Sequence, residues 1–198
     1  TTRYVASVRP DLVASVTVLG SPNTGAPMAD AISTTLPPGS PLRPIVASFV
    51  NAFSGFLGAL SGNTDPQNAL GALASLSTAG SAQFNTRHPQ GNPTTSCGSG
   101  AATVNGIRYY SLSGTSVLTN IFDISDPLMG AGSLVFGFEA NDGLVGRCSS
   151  HWGTVLRDDY GWNHLDEVNQ FLGLRGLFSS SPASVLRAQA NRLKTLGL

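Results

Sequence analysis

Apolar and small residues run together from Val13 to Leu19 (VASVTVL) and stop at Gly20-Ser21-Pro22, the pattern of a buried strand closed by a turn. Just before it, Arg3 to Val8 has helix-like composition and ends at the turn signal Arg9-Pro10-Asp11. From Gly25 to Ala82 the periodicity is mainly helical, broken at Pro37-Pro38-Gly39. Inside this region Ile45, Val46, Phe49, Val50, Phe53, Phe56, Leu57 and Leu60 follow i, i+3/i+4 spacing, and no charge falls between Pro44 and Asn63. Two readings stay open for that segment: a core helix, or an amphipathic lid that opens over an apolar site. A further helix is expected over Ala69 to Leu76. Phe84 to Gly106 reads as loop, Ile107 to Leu112 as a strand, and the stretch holding Asp123 and Asp126-Pro127 as another loop. The last helix starts with Ser181 as cap and Pro182 at its first position, and its pattern predicts burial of Val185, Leu186, Leu193 and Leu196.

Strands alternating with long helical stretches predict an α/β fold with a parallel sheet. No repeat or linker divides the chain, so residues 1–198 are expected to form one domain, with too few strands for a full sheet. A helix leading at once into a core strand carries the expectation that more chain precedes Thr1. The opening residues are not those of a signal peptide, and no apolar run is long enough to span a membrane.

Composition narrows the partners. Eleven basic and eleven acidic residues balance to zero net charge, and charged residues make up only 11% of the chain. Such a surface argues against electrostatic capture of nucleic acid or anionic lipid. The two cysteines, Cys97 and Cys148, are not a CxxC pair, and two reduced core thiols or one bridge both fit them.

Candidate chemistry gathers in Gly161 to Gln170 (GWNHLDEVNQ). A catalytic zinc site needs several nitrogen, sulfur or carboxylate ligands, and His164 has no histidine at i+4. An acyl-transfer site of the α/β-hydrolase kind runs in the order serine, acid, histidine. Asp142, in the turn Asn141-Asp142-Gly143, followed by His164, fits the last two places. No G-x-S-x-G elbow occurs, and Ser21 precedes Pro22, which has no N–H for an oxyanion hole. His88 and His151 read as surface loop residues, Trp152 and Trp162 as packing residues, and Glu167 as solvated or as lying behind the reacting groups. Asp123 reads as a neighbour of Asp126, and Arg147 as seeking a carboxylate.

Three stretches together are more specific. NDGLVGRCSS (Asn141–Ser150), WNHLDEVNQFLGLRG (Trp162–Gly176) and TTRYVASVRPDLVASVTVLGSP (Thr1–Pro22) resemble, in order, segments of the Pseudomonas/Burkholderia-type secreted bacterial lipases. The resemblance covers nearly the whole chain. It implies the C-terminal part of an α/β-hydrolase fold, a mostly parallel sheet with flanking helices and a helical lid over about residues 40–80. It implies a triacylglycerol lipase whose nucleophilic serine lies just upstream of Thr1. Carried over residue by residue, Asp142 matches the triad acid and His164 the triad base. Asp126 and Asp166 match two calcium-binding carboxylates, and the carbonyls of Gln170 and Leu174 the remaining protein ligands. Cys97 and Cys148 match a disulfide. Secretion through the periplasm, an ester substrate at an oil–water interface and a dedicated membrane-anchored foldase follow from the same resemblance. Where many relatives have a histidine after Pro22, this chain has Asn23. A serine-less relative that binds lipid or a protein partner is the alternative.

Overall fold

The computed structural model describes residues 1–34, 39, 41, 44, 69–170 and 173–198. The expected lid, Pro44 to Gly62, falls almost wholly outside the described residues. Among the described residues no helix is long and apolar enough to cross a membrane.

The sheet is built on β3 (Ile107–Gly114), which pairs in parallel with β1 (Ser15–Leu19) on one side and with β4 (Thr154–Tyr160) on the other. Its register runs Ser15 opposite Arg108 to Leu19 opposite Leu112, and Tyr110 opposite Thr154 to Gly114 opposite Tyr160. A short β2 (Thr103–Val104) adds antiparallel to β3. Asn105 and Gly106 join the two at φ of 53° and 78°, the left-handed pair a two-residue hairpin turn requires. This hairpin corrects the reading of Phe84 to Gly106 as loop. So does the helix α4 (Thr78–Arg87), which caps on Ser77 as its hydroxyl accepts from Gly80 N at 3.0 Å.

Helices cover both faces of the sheet. On one, Val16 and Val18 meet Ile107, Tyr109 and Trp152 under Ala6 of α1 (Thr2–Val8). On the other, Gln189 Nε2 of α6 (Pro182–Thr195) donates to Thr17 Oγ1 at 3.0 Å. The expected inner face of α6 is corrected here. Pro182 and Gln189 are its buried residues, Val185 and Leu193 are half-buried, and Leu186 and Leu196 are exposed. The helix meets the sheet through a polar contact that apolar periodicity cannot register.

A second cluster lies where the loops after β3 and β4 leave the carboxyl ends of the parallel strands. Met28 of α2 (Pro27–Ser33), Met129 of α5 (Asp126–Ser133) and Leu165 form it, with Ile32, Val117, Leu128, Val135 and Leu144 packed around them. The helix α5 replaces the loop read around Asp126-Pro127; Pro127 sits in its first turn, where a missing N–H costs nothing. The helix α3 (Ala69–Leu76) agrees with expectation. Cys97 and Cys148 form a disulfide, with Cys148 six residues beyond Asp142 in the same irregular segment.

Candidate active site

His164 and Asp142 meet at this carboxyl end. His164 Nδ1 lies 2.8 Å from Asp142 Oδ2, and His164 N donates to the Asp142 carbonyl at 2.9 Å. Ring and backbone are thus both fixed to the same residue. Asp142 is 1% exposed, and its other oxygen, Oδ1, accepts from Leu144 N and Val145 N at 2.9 and 2.7 Å. A buried carboxylate with both oxygens hydrogen-bonded is held in one orientation. The turn that presents it depends on Gly143, at φ +100°, where a Cβ would run into the backbone and Cβ of Met129.

The His164 side chain is 28% exposed, and among the described residues no hydrogen bond engages its Nε2. Burial pulls the imidazole down, but the Asp142 charge and hydrogen bond, helped by Glu167, outweigh it and raise the ring to about 9. An Nδ1–H donated to Asp142 leaves Nε2 as the working nitrogen. Asp142, His164 and Glu167 also bring one ligand atom each within 4.8 Å of one another, a group that could hold a metal ion. The short Nδ1–Oδ2 bond already uses the ring nitrogen on that side, which favours a proton there over a cation.

A second acidic group adjoins the first. Asp126 Oδ2 accepts from Thr119 N and Asn120 N at 2.7 and 2.8 Å, and its Oδ1 accepts from Asn163 Nδ2 at 2.9 Å. Asp166 Oδ2 accepts from Asn163 N at 3.1 Å, while its Oδ1 is buried without any hydrogen-bond partner. Burial, with Asp123 and Asp126 nearby adding to it, lifts the Asp166 carboxyl to about 6. An orphaned buried carboxylate oxygen beside two other buried acids suits a hard cation with oxygen ligands. Gln170 and Leu174 flank residues 171–172, which are outside the described residues; the Gln170 carbonyl accepts from Gly173 N at 3.1 Å.

Asn163 joins Asp126 to the backbone that follows His164. It is fully buried, its Oδ1 accepts from Leu165 N and Asp166 N at 2.8 and 2.9 Å, and its Nδ2 reaches Asp126. The residue on either side of His164 is therefore fastened inward.

No family model matches the chain. The chain is 50% identical over 199 residues to a triacylglycerol lipase of Vibrio cholerae serotype O1, covering all of this chain and 64% of that protein. It is 42% identical over 208 residues to a triacylglycerol lipase of Pseudomonas fragi, covering all of this chain and 70% of that relative. A third relative, a triacylglycerol lipase of Pseudarthrobacter phenanthrenivorans, is 40% identical over 231 residues, with 72% of its length covered.

The chain belongs to the triacylglycerol lipase family.

It spans 64% of the length of the Vibrio relative. A crystal structure of a Bacillus licheniformis lipase in mature form superposes with a TM-score of 0.52 at 20% identity, over 82% of this chain and 53% of that one. With the parallel sheet and its flanking helices, that likeness makes the fold part of an α/β-hydrolase fold.

Of the remaining candidates in this lipase-family chain, Glu167 takes the second of its two expected places and His151 stands elsewhere than expected. Glu167 lies behind the reacting ring: it is 1% exposed, its Oε1 accepts from Gly114 N at 2.6 Å, and its Oε2 lies 3.7 Å from His164 Nδ1. Burial, then the charge of Asp142, raises its carboxyl. Gly20, at φ +52°, leaves the space that this carboxylate fills. His151 is not at the surface: it is 4% exposed, with Nε2 2.8 Å from Asp158 Oδ2 and Nδ1 3.1 Å from the Gly98 carbonyl. Asp158 is also the partner of Arg147, which binds it through Nε and Nη2 at 2.8 and 2.9 Å. Asp158 gave no sequence signal, because it lies in β4, a charged edge strand that alternation does not mark. Trp152 and Trp162 are fully buried packing residues, as expected. A cavity of about 780 Å³ between α1 and α3–α4 is lined by Arg3, Ser21, Leu76, Phe84 and others, and by neither Asp142 nor His164.

Proposed function

We propose that this chain supplies the acid–base and calcium-binding parts of a secreted lipase that hydrolyses triacylglycerol and other carboxylic esters by a Ser–His–Asp mechanism. The observation that carries the reading is His164, clamped through Nδ1 by an Asp142 with both oxygens hydrogen-bonded, while among the described residues no hydrogen bond engages Nε2. The relatives' names give the substrate class. The serine is assigned to the part of the protein upstream of Thr1.

In this reading Nε2 takes the proton of the serine hydroxyl as its oxygen attacks the ester carbonyl. Asp142 holds the ring in the Nδ1–H tautomer and stabilises the imidazolium. His164 then gives the proton to the departing alcohol, leaving an acyl-enzyme. Water, deprotonated by the same nitrogen, releases the acid and restores the serine. Asp126 and Asp166 would hold calcium, with the carbonyls of Gln170 and Leu174. When bound, the ion would neutralise the crowded acids and tie the α5 end to the His164 loop. Secretion through an oxidising compartment agrees with the Cys97–Cys148 disulfide. A membrane-anchored foldase belongs to the same proposal on the resemblance alone, as does a single domain over residues 1–198.

The test is hydrolysis of emulsified triolein by the full-length protein. His164→Ala and Asp142→Asn are each expected to lower kcat by about 10³-fold or more, by analogy with other triads. Turnover within ten-fold of wild type in His164→Ala would overturn the assignment.

A further inference from the structure

We propose that the loop from β3 to α5, with the adjoining turn at Leu177 and Phe178, is a docking surface for an uncharged lipid phase at the mouth of the His164 site. The proposal rests on the ester-hydrolase reading above and adds to it where the protein meets the lipid.

The loop is inside out. Leu118, Ile121, Phe122 and Ile124 are 73%, 93%, 73% and 77% exposed, while Asp123, Ser125 and Asp126 are buried. Polar side chains normally take the outer positions of a loop and apolar ones the inner. Here the inner positions are used to lock the backbone. Ser125 donates through N and Oγ to Asp123 Oδ1 at 2.8 and 2.7 Å, and Thr119 N and Asn120 N donate to Asp126. Phe122 N donates to Asn120 Oδ1 at 3.1 Å. Asn120 Nδ2 reaches the Arg175 carbonyl at 3.0 Å, which draws in the second turn with Leu177 at 84% and Phe178 at 103% exposure. Six large apolar side chains are thus held outward on a hydrogen-bonded frame, more than scattered exposure accounts for.

Charge and position choose the occupant. From Thr115 to Phe138 the only charged residues are Asp123 and Asp126, and both are buried. The loop therefore offers no charge to an anionic headgroup, and the one cation beside the second turn, Arg175, is half-buried and bonded to the Ser179 and Gly173 carbonyls. The loop matches an uncharged, water-insoluble ester phase. The loop is also anchored at both ends on neighbours of His164. Val117 packs on the cluster that contains Leu165, next to His164, and Asp126 holds Asn163 on its other side.

The experiment is flotation of the full-length protein with triolein droplets coated in phosphatidylcholine. The double variant Ile121→Ser/Phe122→Ser is expected to bind the droplets at least five-fold more weakly, with hydrolysis of a water-soluble short-chain ester within two-fold of wild type. Flotation needs no turnover, so its outcome is separate from that of the ester-hydrolase reading, which the soluble ester tests. In Phe122→Trp, fluorescence emission in excess of wild type should move to shorter wavelength when droplets are added. Equal droplet binding by the double variant, or no emission shift in Phe122→Trp, overturns the proposal. So does a double variant that no longer unfolds cooperatively, which assigns the patch to the rest of the polypeptide. A wild-type dimer that the double variant renders monomeric assigns it to a second copy, with the same consequence.

Discussion

Asn163 shows how much one neutral side chain can organise. It accepts from two backbone N–H groups on the far side of His164 and donates to Asp126, all without exposure to water. Asn163→Ala leaves the two N–H groups buried and unmatched and leaves Asp126 Oδ1 with Thr119 Oγ1 alone, and is expected to cost about 3 kcal/mol in urea unfolding. Because the lost contacts flank the base, kcat on a soluble ester should fall by more than KM changes. A variant with unaltered stability would show that the bonds are not made in solution. Asp158 permits a test with pH. Its hydrogen bond with Arg147 holds its carboxyl below 3.8, against the opposing effect of burial and with help from His151. A lowered folded-state value means that its contribution is present above 3.8 and is lost as pH falls through that depressed value. Thermal midpoints taken downward from pH 5 should therefore fall more steeply in wild type than in Asp158→Asn. Parallel curves would remove Asp158 from the acid response. The sequence marked His164 and Asp142 through their turn and order, but not Asn163 or Asp158, because partners 37 and 11 positions away leave no local signature.

At the scale of elements, legibility followed burial. β1 is apolar and β-branched, and β3 is apolar and aromatic, because neighbours cover them, and their composition shows it. β4 carries Arg157, Asp158 and Asp159 with no fully buried residue, so its pattern does not mark it as a strand although it pairs along β3. The β2–β3 hairpin was signalled by Asn105-Gly106, a cue that the surrounding Gly, Pro and Ser obscured. Gly106 has open space around it, so Gly106→Ala meets only the penalty of φ 78° and should cost about 1 kcal/mol by thermal unfolding. A loss of several kcal/mol would mean that the turn contacts something the structure does not place there. The disulfide closes a separation of 51 residues. By the chain-entropy relation Cys148→Ser should lower stability by about 4 kcal/mol, read from denaturant midpoints under non-reducing conditions.

For the whole molecule, three buried acids with no matching base among the described residues leave the fold short of positive charge at one point. If calcium fills it, stability rises with free ion by about 2.7 kcal/mol at a hundred times the dissociation constant. Thermal midpoints should respond to calcium in wild type and not in Asp166→Ala; equal responses would place the ion elsewhere. The α/β class was legible because layer order follows from strand and helix alternation. Asp126 and Asp166 were singled out only through resemblance, since they lie 40 positions apart and share Asn163 as a partner rather than a motif.

The outer edge of β1 has a wider consequence. Among the described residues β1 pairs on one side only, so its other row of N–H and C=O groups is presented to whatever strand arrives. A strand supplied on a separate polypeptide can add there as well as one on the same chain, which makes the chain a candidate for split-protein reconstitution.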